Sequence, residues 1–523
     1  MTTGAQALDE PIRSRRNHWN NQIATHALMR PDAVALRFRG ADTTWRQLHE
    51  RSQRFADALA RRGVGFGDRV LILALNHPEY LEAVFGINAL GAIAVPVNFR
   101  LTPPEIAYIA ADSGATTLVT DAPLQPLAAA VRAQSPALAT CVVIGGQSAE
   151  DVVAYEDALA EDGAPHTPLD IPEDTPALIM YTSGTTGSPK GAVLSYANMN
   201  AQALTCIRAM DIGPDSIGFC TSPLFHIAGL GSLAPYFQLG GKTVLHPLGA
   251  FDATEFLDAV EAERATTAFC VPAQWQLICA EPTVKQRDLA LRMLSWGAAP
   301  ASDTVLRAMA DCFPDAQNVA VFGQTEMSPI TCVLEGKDAL RKLGSVGKVV
   351  PTIQARVVDD GMNDVAPGEI GEIVYRGPTL MQGYWNKPEA TAESFAGGWF
   401  HSGDLVRQDE EGFVWVVDRK KDMIISGGEN IYCAEVENVL FAHPKIREAA
   451  VIGRAHEKWG EVPVAVVALA DPEGDLTLAE LEPYLNESLA RYKHPKDLVL
   501  VPELPRNASG KVVKVQLRKD HGS

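Results

Sequence analysis

Apolar residues alternate between two spacings through the first part of the chain. From Trp45 to Arg62 they fall at helical intervals, with Leu48, Phe55 and Leu59 on one face, and Gly63 and Gly65 close the segment. Val70–Leu75 is a short continuous apolar run, as a buried strand requires. Pro78 then opens a helix carrying Leu81, Val84, Phe85 and Leu90, stopped by Gly91, and Ile93–Val97 is the next strand. Strand and helix in alternation predict parallel βαβ units. The pattern resumes through 244–330, where Phe269–Val271, Met293–Trp296 and Asn318–Phe322 read as strands. Beyond Lys348 the texture becomes short β-rich pieces between Gly/Pro turns, such as Gln354–Val358 and Ile370–Tyr375, which predicts a small β subdomain. The strand Phe413–Val417 runs into the charged stretch Asp418–Asp422. An independent αβ pattern follows, with helix Ala434–Leu440, strands Glu448–Ile452 and Val462–Leu469, and helix Leu478–Arg491. The predicted class is α/β: a large N-terminal domain of stacked βαβ-type sheets plus a β-rich subdomain over 1–420, and a small α+β C-terminal domain over 421–523.

A length of 523 residues exceeds what one core serves, in agreement with that division. Forty-five Lys and Arg against 64 Asp and Glu give a net charge of −19, which argues against nucleic acid or an anionic membrane as a general partner. Positive charge concentrates near the C-terminus, where Arg491, Lys493, Lys496, Arg506, Lys511, Lys514, Arg518 and Lys519 face only Asp497 and Glu503 over 491–519. Eight cysteines lie between Cys141 and Cys433 without CxxC pairs or zinc spacing, so they read as reduced core residues. The start, MTTGAQALDEPIRSRR, has no apolar core for a signal peptide, and a cytoplasmic location is expected. Residues 216–241 contain no Asp, Glu, Lys or Arg, yet Pro223, Pro235 and five glycines break the run, so it reads as buried pocket wall rather than a membrane span. The composition is compatible with a homodimer and with peripheral membrane contact, but not with an integral membrane segment.

The sharpest chemical signal is TSGTTGSPKG at 182–191. Its glycines let backbone N–H groups turn inward as an anion nest, its hydroxyls add donors, and Lys190 adds a positive charge. Ser188 and Pro189 separate Gly187 from Lys190, so this is not a Walker A loop. Ala177–Tyr181 enters it as a strand, and Ala192–Leu194 leaves it into a helix from Tyr196. A polyphosphate is the expected ligand. At 144–148, IGGQS imitates a phosphopantetheine-attachment site, but Ser148 follows a strand-like run inside the βα region and not the start of a separate helical bundle.

Further motifs occur in order: PLFHIAGL at 223–230, GAAP at 297–300, FGQTEM at 322–327, GWFHSGDL at 398–405, VDRKKDMIISGGENIYCAEVE at 417–437 and PRNASGK at 505–511. With the phosphate loop they make the chain resemble, over essentially its full length, the adenylate-forming superfamily of acyl-CoA synthetases, aryl-CoA ligases, luciferases and nonribosomal adenylation domains. The resemblance implies ATP, Mg²⁺ and coenzyme A as cofactors and a two-step ligation through acyl-AMP. It implies a nucleotide site built from Thr182, Ser183, Gly184, Thr185, Thr186, Gly187 and Lys190, from Gly297, Ala298, Ala299 and Pro300, and from Phe322, Gly323, Gln324 and Thr325. Phe322 replaces the usual Tyr against adenine, which asks only for a π-face. Thr182 and Glu326 are implied as metal ligands, Asp404 and Arg419 as ribose contacts, and Lys511 as the adenylation lysine. Lys511, Lys190 and Glu326 are thus the implied catalytic set. Lys421 aligns with a hinge, which makes the C-terminal domain mobile. Gly427, Gly428, Trp459, Tyr492, His494 and Lys496 match coenzyme A contacts, with His226 as the gate between acyl pocket and pantetheine tunnel.

Cys433 stands where the family usually has Pro. Phe225 is followed by His226 rather than by the Asp of amino-acid-activating relatives, which disfavours a free amino acid. Ala228, Gly229, Gly231 and Ser232 are small, and with Trp275, Gly297, Gly323, Pro329 and Ile330 as further wall residues the pocket is expected to take a medium- or long-chain aliphatic acid. The function expected from the sequence is therefore a fatty acyl-CoA synthetase. The alternatives are an aryl- or short-chain-acid CoA ligase, an acyl-AMP ligase loading a carrier protein, and, from another class, a catalytically silent acyl or nucleotide sensor.

Overall fold

Thr44 starts the helix Trp45–Arg61: its hydroxyl accepts from the Gln47 N–H while the Gln47 side chain accepts from the Thr44 N–H, so two donors at the helix start are satisfied. The face carrying Trp45, Leu48, Phe55 and Leu59 is buried, as the spacing predicts. Pro78 opens the next helix, Pro78–Ala89, which approaches so closely that a Cβ on Gly86 would sit 2.9 Å from the Ser52 carbonyl. The computed structural model describes residues 15–182, 189–299, 301–427, 429–507 and 511–522. Its residues cluster into two units, Met1–Gln354 with Arg376–Ser394, and Ala355–Tyr375 with Phe395–Ser523.

The first unit holds two large sheets. One has nine strands in the order Lys348–Val349, Ile330–Leu334, Gln317–Gly323, Met293–Gly297, Thr267–Phe269, Ile217–Cys220, Lys242–Leu245, Val34–Phe38 and Ala41–Thr44. The other has eight, in the order Gly383–Tyr384, Lys190–Ser195, Pro176–Thr182, Ile93–Pro96, Arg69–Leu73, Thr117–Asp121, Thr140–Ile144 and Val153–Ala154. The interior pairings are parallel, as βαβ connections require, and antiparallel pairs occur towards the ends. In the second unit the β-rich pieces form a four-stranded sheet, Gln354–Val358, Ile370–Arg376, Phe400–Gln408 and Val414–Arg419. A further sheet runs Glu429–Ile431, Ile424–Ser426, Gly460–Leu469 and Ile446–His456, with Asp497–Leu500 added parallel to Gly460–Leu469.

Some element bounds differ from the pattern-based expectation. The strand expected at 269–271 lies at Thr267–Phe269, because Pro272 starts the helix Pro272–Ala280 and the Gln274 side chain already accepts from the Val271 N–H at 3.1 Å. The helix expected to reach Arg491 ends at Ser488, and Arg491–Lys493 forms a separate 3₁₀ turn. The uncharged run 216–241 becomes a central strand, Ile217–Cys220, and a largely buried helix, Ile227–Leu239. Among the described residues no helix is long and apolar enough to cross a membrane.

Asn88 ties three of the first unit's elements together. Fully buried, it donates to the carbonyls of Ala92 and Ala177 at 3.0 Å and accepts from the Trp19 indole N–H at 2.9 Å. Asn88→Ala strands all three partners in the interior and is expected to cost roughly 3 kcal/mol. A urea melt monitored by tryptophan fluorescence checks this, with an unchanged first midpoint as the contrary result.

Candidate active site

The phosphate loop is held at both ends by one antiparallel ladder. Strands Pro176–Thr182 and Lys190–Ser195 pair with Thr182 opposite Lys190, and the Thr182 hydroxyl lies 3.4 Å from the Lys190 carbonyl. Ser183, Gly184, Thr185, Thr186 and Gly187 fall outside the described residues, as do Pro300 and Gly428. On its other side Lys190–Ser195 pairs with Gly383–Tyr384. This places the Tyr384 ring 5.1 Å from the Lys190 ammonium, while the Tyr384 hydroxyl donates to Glu326 Oε1 at 2.9 Å.

Glu326 sits in a 3₁₀ turn, Thr325–Met327, just past the end of strand Gln317–Gly323. It is buried, and Met381 N–H donates to its carbonyl at 2.8 Å. The turn needs Gly323, because a Cβ there would lie 1.9 Å from the Pro329 carbonyl, with which the Gln324 N–H bonds at 2.8 Å. Phe322 and Thr325 are half-buried at the same strand end. Gly297 closes the adjacent strand, and Ala298 follows with φ of 64°, a left-handed conformation that costs energy for a residue with a Cβ. Exposed Ala298 and Ala299 thus stand beside Phe322 at the C-terminal edge of the sheet, where open α/β sheets bind ligands.

The donor set fits a hard cation that keeps phosphate and water ligands. Among the described residues no group of three His, Cys, Asp or Glu forms a cage. Glu326 instead offers one carboxylate whose single phenol hydrogen bond leaves capacity for coordination, and Thr182 a hydroxyl, which is how Mg²⁺ on a nucleotide is usually met.

His226 caps the helix Ile227–Leu239. Its Nδ1 accepts from the Ala228 N–H at 3.1 Å, which places the proton of the neutral ring on Nε2. Two of the small residues after it, Gly229 and Gly231, serve packing rather than the pocket space that the sequence suggested. A Cβ on Gly229 would lie 2.4 Å from the Pro223 carbonyl, and one on Gly231 3.0 Å from the Pro329 ring, so both glycines are needed for packing. Ser232 spends its hydroxyl on the Gly229 carbonyl at 2.8 Å. Trp275 is also a correction: it has no exposed surface, its N–H bonds the Ser295 carbonyl, and it packs between Phe256 and Phe313 as core. Pro329 and Ile330 are half-buried beside the Glu326 turn. Asn76 carries no motif signal, yet it is buried and brackets the loop before His226, donating to the Ser222 carbonyl and accepting from the Leu224 N–H, both at 2.9 Å.

In the second unit Asp404 and Arg419 stand opposite each other across the strand pair Phe400–Gln408 and Val414–Arg419, with Nε to Oδ1 at 2.7 Å. Buried Glu372 braces the strand segment before Asp404 and the residue after Arg419, bonding the His401 ring and the Gly403 N–H at 3.0 Å and Lys420 at 3.2 Å. Burial opposes its charge, but these donors hold its carboxyl below the usual range. Lys421 is exposed. Lys511 is exposed on a hairpin whose ends are locked by Asn507, whose side chain accepts from the Lys511 N–H at 2.9 Å. Gly427 and Trp459 meet: a Cβ on Gly427 would lie 2.7 Å from the indole, and the Gly427 N–H donates to the Trp459 carbonyl. Tyr492 and Lys496 are exposed, and His494 bonds the Leu489 carbonyl through Nε2. Cys433 occupies the first position of helix Cys433–Phe441, where Pro is also welcome, and its thiol donates to the Asp422 carbonyl.

The C-terminal basic cluster is less charged than its sequence implies. Lys493, Lys514, Arg506 and Arg518 pair with Glu435, Glu437, Glu448 and Asp422, all acids from earlier in the chain.

The profile of the family described as AMP-binding enzyme matches residues 23–385, and that of the AMP-binding enzyme C-terminal domain matches 435–511. A feruloyl-CoA synthase of Amycolatopsis sp is 41% identical over 95% of this chain and 97% of that protein. An indoleacetate–CoA ligase of Aromatoleum aromaticum is 40% identical over the same shares. A long-chain-fatty-acid–CoA ligase of Mycobacterium tuberculosis is 35% identical over 92% of this chain and 93% of that protein. Among solved structures, the Bacillus subtilis o-succinylbenzoate CoA synthetase in complex with ATP and magnesium superposes with a TM-score of 0.85 at 31% identity, over 95% of this chain and 99% of that one. An anthranilate CoA ligase bound to anthranoyl-AMP gives 0.87 at 28% identity, over 97% of both.

Asn76→Ala removes both bonds that hold the 222–224 backbone. The Leu224 amide is expected to exchange with solvent at least about tenfold faster, read by hydrogen exchange with mass spectrometry. Unchanged protection would show that the loop is held without Asn76.

Proposed function

The chain belongs to the AMP-binding enzyme family and is an adenylate-forming CoA ligase, and on that premise we propose that its acid is an aryl or arylalkyl carboxylate. The observation that carries this is the higher identity, over 95% of the chain, to ligases named for feruloyl and indoleacetate groups than to the fatty-acid ligase. The earlier case for a long aliphatic chain rested on small residues at 228–232, and Gly229 and Gly231 are accounted for by packing. The aromatic pair Phe99 and Phe225, 5.4 Å apart edge to face beside His226, suits a planar acid. A medium- or long-chain acid is the second reading, supported by the relative at 35% identity.

In the proposed mechanism a carboxylate oxygen attacks the α-phosphorus of ATP, the bond from that phosphorus to the bridging oxygen breaks, and pyrophosphate leaves with the electron pair. The loop 182–190 and Lys190 hold the departing pyrophosphate, and Lys511 stabilises charge on the carboxylate and α-phosphate. Glu326 and Thr182 would hold Mg²⁺, which would supply neutralisation of phosphate charge. Phe322 faces adenine, flanked by Gly297, Ala298, Ala299, Pro300, Gly323, Gln324 and Thr325, and the Asp404 and Arg419 pair takes the ribose hydroxyls. In the second step the coenzyme A thiol attacks the acyl carbonyl and AMP leaves. Gly427 and Gly428 serve the pantetheine arm, Trp459, Tyr492, His494 and Lys496 the nucleotide end, and His226 gates the junction. Lys421 is the hinge, so the functional boundary falls at 420/421.

An acid panel checks the substrate class: ferulate and indoleacetate are expected to exceed octanoate and palmitate in kcat/KM by roughly tenfold or more. The reverse order restores the fatty-acid reading. Lys511→Ala is expected to slow acyl-AMP formation by about 10²-fold or more and largely spare thioester formation from supplied acyl-AMP. Equal loss in both half-reactions refutes that division of labour.

A further inference from the structure

Tyr384 belongs to none of the recognised motifs, yet it touches both groups that the mechanism places on the phosphates. Its strand is the edge of the eight-stranded sheet, in register with the phosphate-loop strand, Tyr384 opposite Ala192. The surrounding backbone is bonded on two sides: Gln382 N–H to the Val193 carbonyl and Trp385 N–H to the Gly191 carbonyl on the loop strand, and Met381 N–H to the Glu326 carbonyl. The Ser328 hydroxyl, two residues past Glu326, donates to the Thr379 carbonyl at 2.7 Å. The segment 379–385 is therefore a strap between the loop strand of one sheet and the Glu326 turn of the other.

The side chain completes that link. The hydroxyl donates to Glu326 Oε1 at 2.9 Å, and the ring lies 5.1 Å from Lys190 Nζ. A phenol is protonated at neutral pH, so the hydroxyl is a donor to the carboxylate. A neutral donor fixes the rotation of a carboxylate without cancelling its charge, whereas a lysine or arginine there would compete with a cation for it. The aromatic face attracts the ammonium without neutralising it. One residue thus engages both the cation and the anion of the site and leaves each its full charge for the ligand.

We propose that Tyr384 is a positioning residue for the nucleotide site, its hydroxyl orienting Glu326 towards the metal of MgATP and its ring holding Lys190 towards the phosphates. The inference rests on the assignment of Glu326 and Lys190 to MgATP.

The test is calorimetric binding of a non-hydrolysable ATP analogue to the full chain, with excess Mg²⁺ and with EDTA. The quantity read is the gain in affinity that Mg²⁺ confers. Tyr384→Phe keeps the ring and is expected to reduce that gain by about tenfold while leaving the EDTA affinity unchanged. Tyr384→Leu is expected to reduce the gain equally and to weaken binding in EDTA as well. In a Glu326→Gln background, Tyr384→Phe is expected to have no further effect on the gain. If Glu326→Gln lowers the gain while both Tyr384 variants leave it intact, the inference fails and the site assignment stands. If Glu326→Gln leaves the gain intact, the assignment fails and takes the inference with it. A Tyr384→Phe effect that persists in full in the Glu326→Gln background also overturns the inference. Should one Tyr384 variant not fold, the other decides, since both must lower the gain.

Discussion

The ladder between Pro176–Thr182 and Lys190–Ser195 is the constraint on which the candidate site residues of the first unit depend. With Thr182 paired to Lys190, the glycine- and hydroxyl-rich stretch between them is closed at its base, and the ammonium is delivered at a fixed point of a sheet. The same strand then accepts Gly383–Tyr384 on its other edge, so its register also decides where the Tyr384 ring stands relative to Lys190. A slip of one residue would turn every side chain of the strand to the opposite face. Glu326 enters from a different sheet, and its position is set by the 379–385 strap and by the close backbone approach at Gly323.

The second unit is organised by buried charge rather than by a glycine loop. Asp404 is held opposite Arg419 by strand register, and Glu372 braces the residues flanking the pair by accepting from His401, Gly403 and Lys420. A carboxylate already paired with a guanidinium and nearly removed from water is rigid, which suits recognition of two vicinal hydroxyls. The pairing of Lys493, Lys514, Arg506 and Arg518 with acids from earlier segments stiffens the region around Lys511 instead of creating a broad positive field. Electrostatics at this end of the chain is therefore local.

Much of this was legible in the sequence because the signals are local. Pro78, Gly91 and the 3.6-residue spacing of Leu48, Phe55 and Leu59 act within one element, and those elements lie where the pattern places them. Strand limits set by a neighbour's capping, as at Val271, were not legible, since Gln274 competes for a backbone group. Gly229 and Gly231 were misread because smallness has two causes, space for a ligand or close packing of backbone, and only the packing distances distinguish them. The pairing of the basic cluster was not legible because its partners Asp422, Glu435, Glu437 and Glu448 lie 58 to 96 positions away. Tyr384 and Asn76 went unseen for the same reason: their roles are long-range contacts, with Glu326 and with residues 222 and 224, that no spacing encodes.

On the proposed function this chain cleaves ATP between the α- and β-phosphates with an aromatic carboxylate as the attacking group, and the loop closed by the 182/190 pair holds pyrophosphate. Exchange of labelled pyrophosphate into ATP, with coenzyme A withheld, tests it most directly. The account predicts exchange that depends on added aromatic acid, with AMP as the nucleotide product once coenzyme A is supplied. Acid-independent exchange, or formation of ADP, would contradict it.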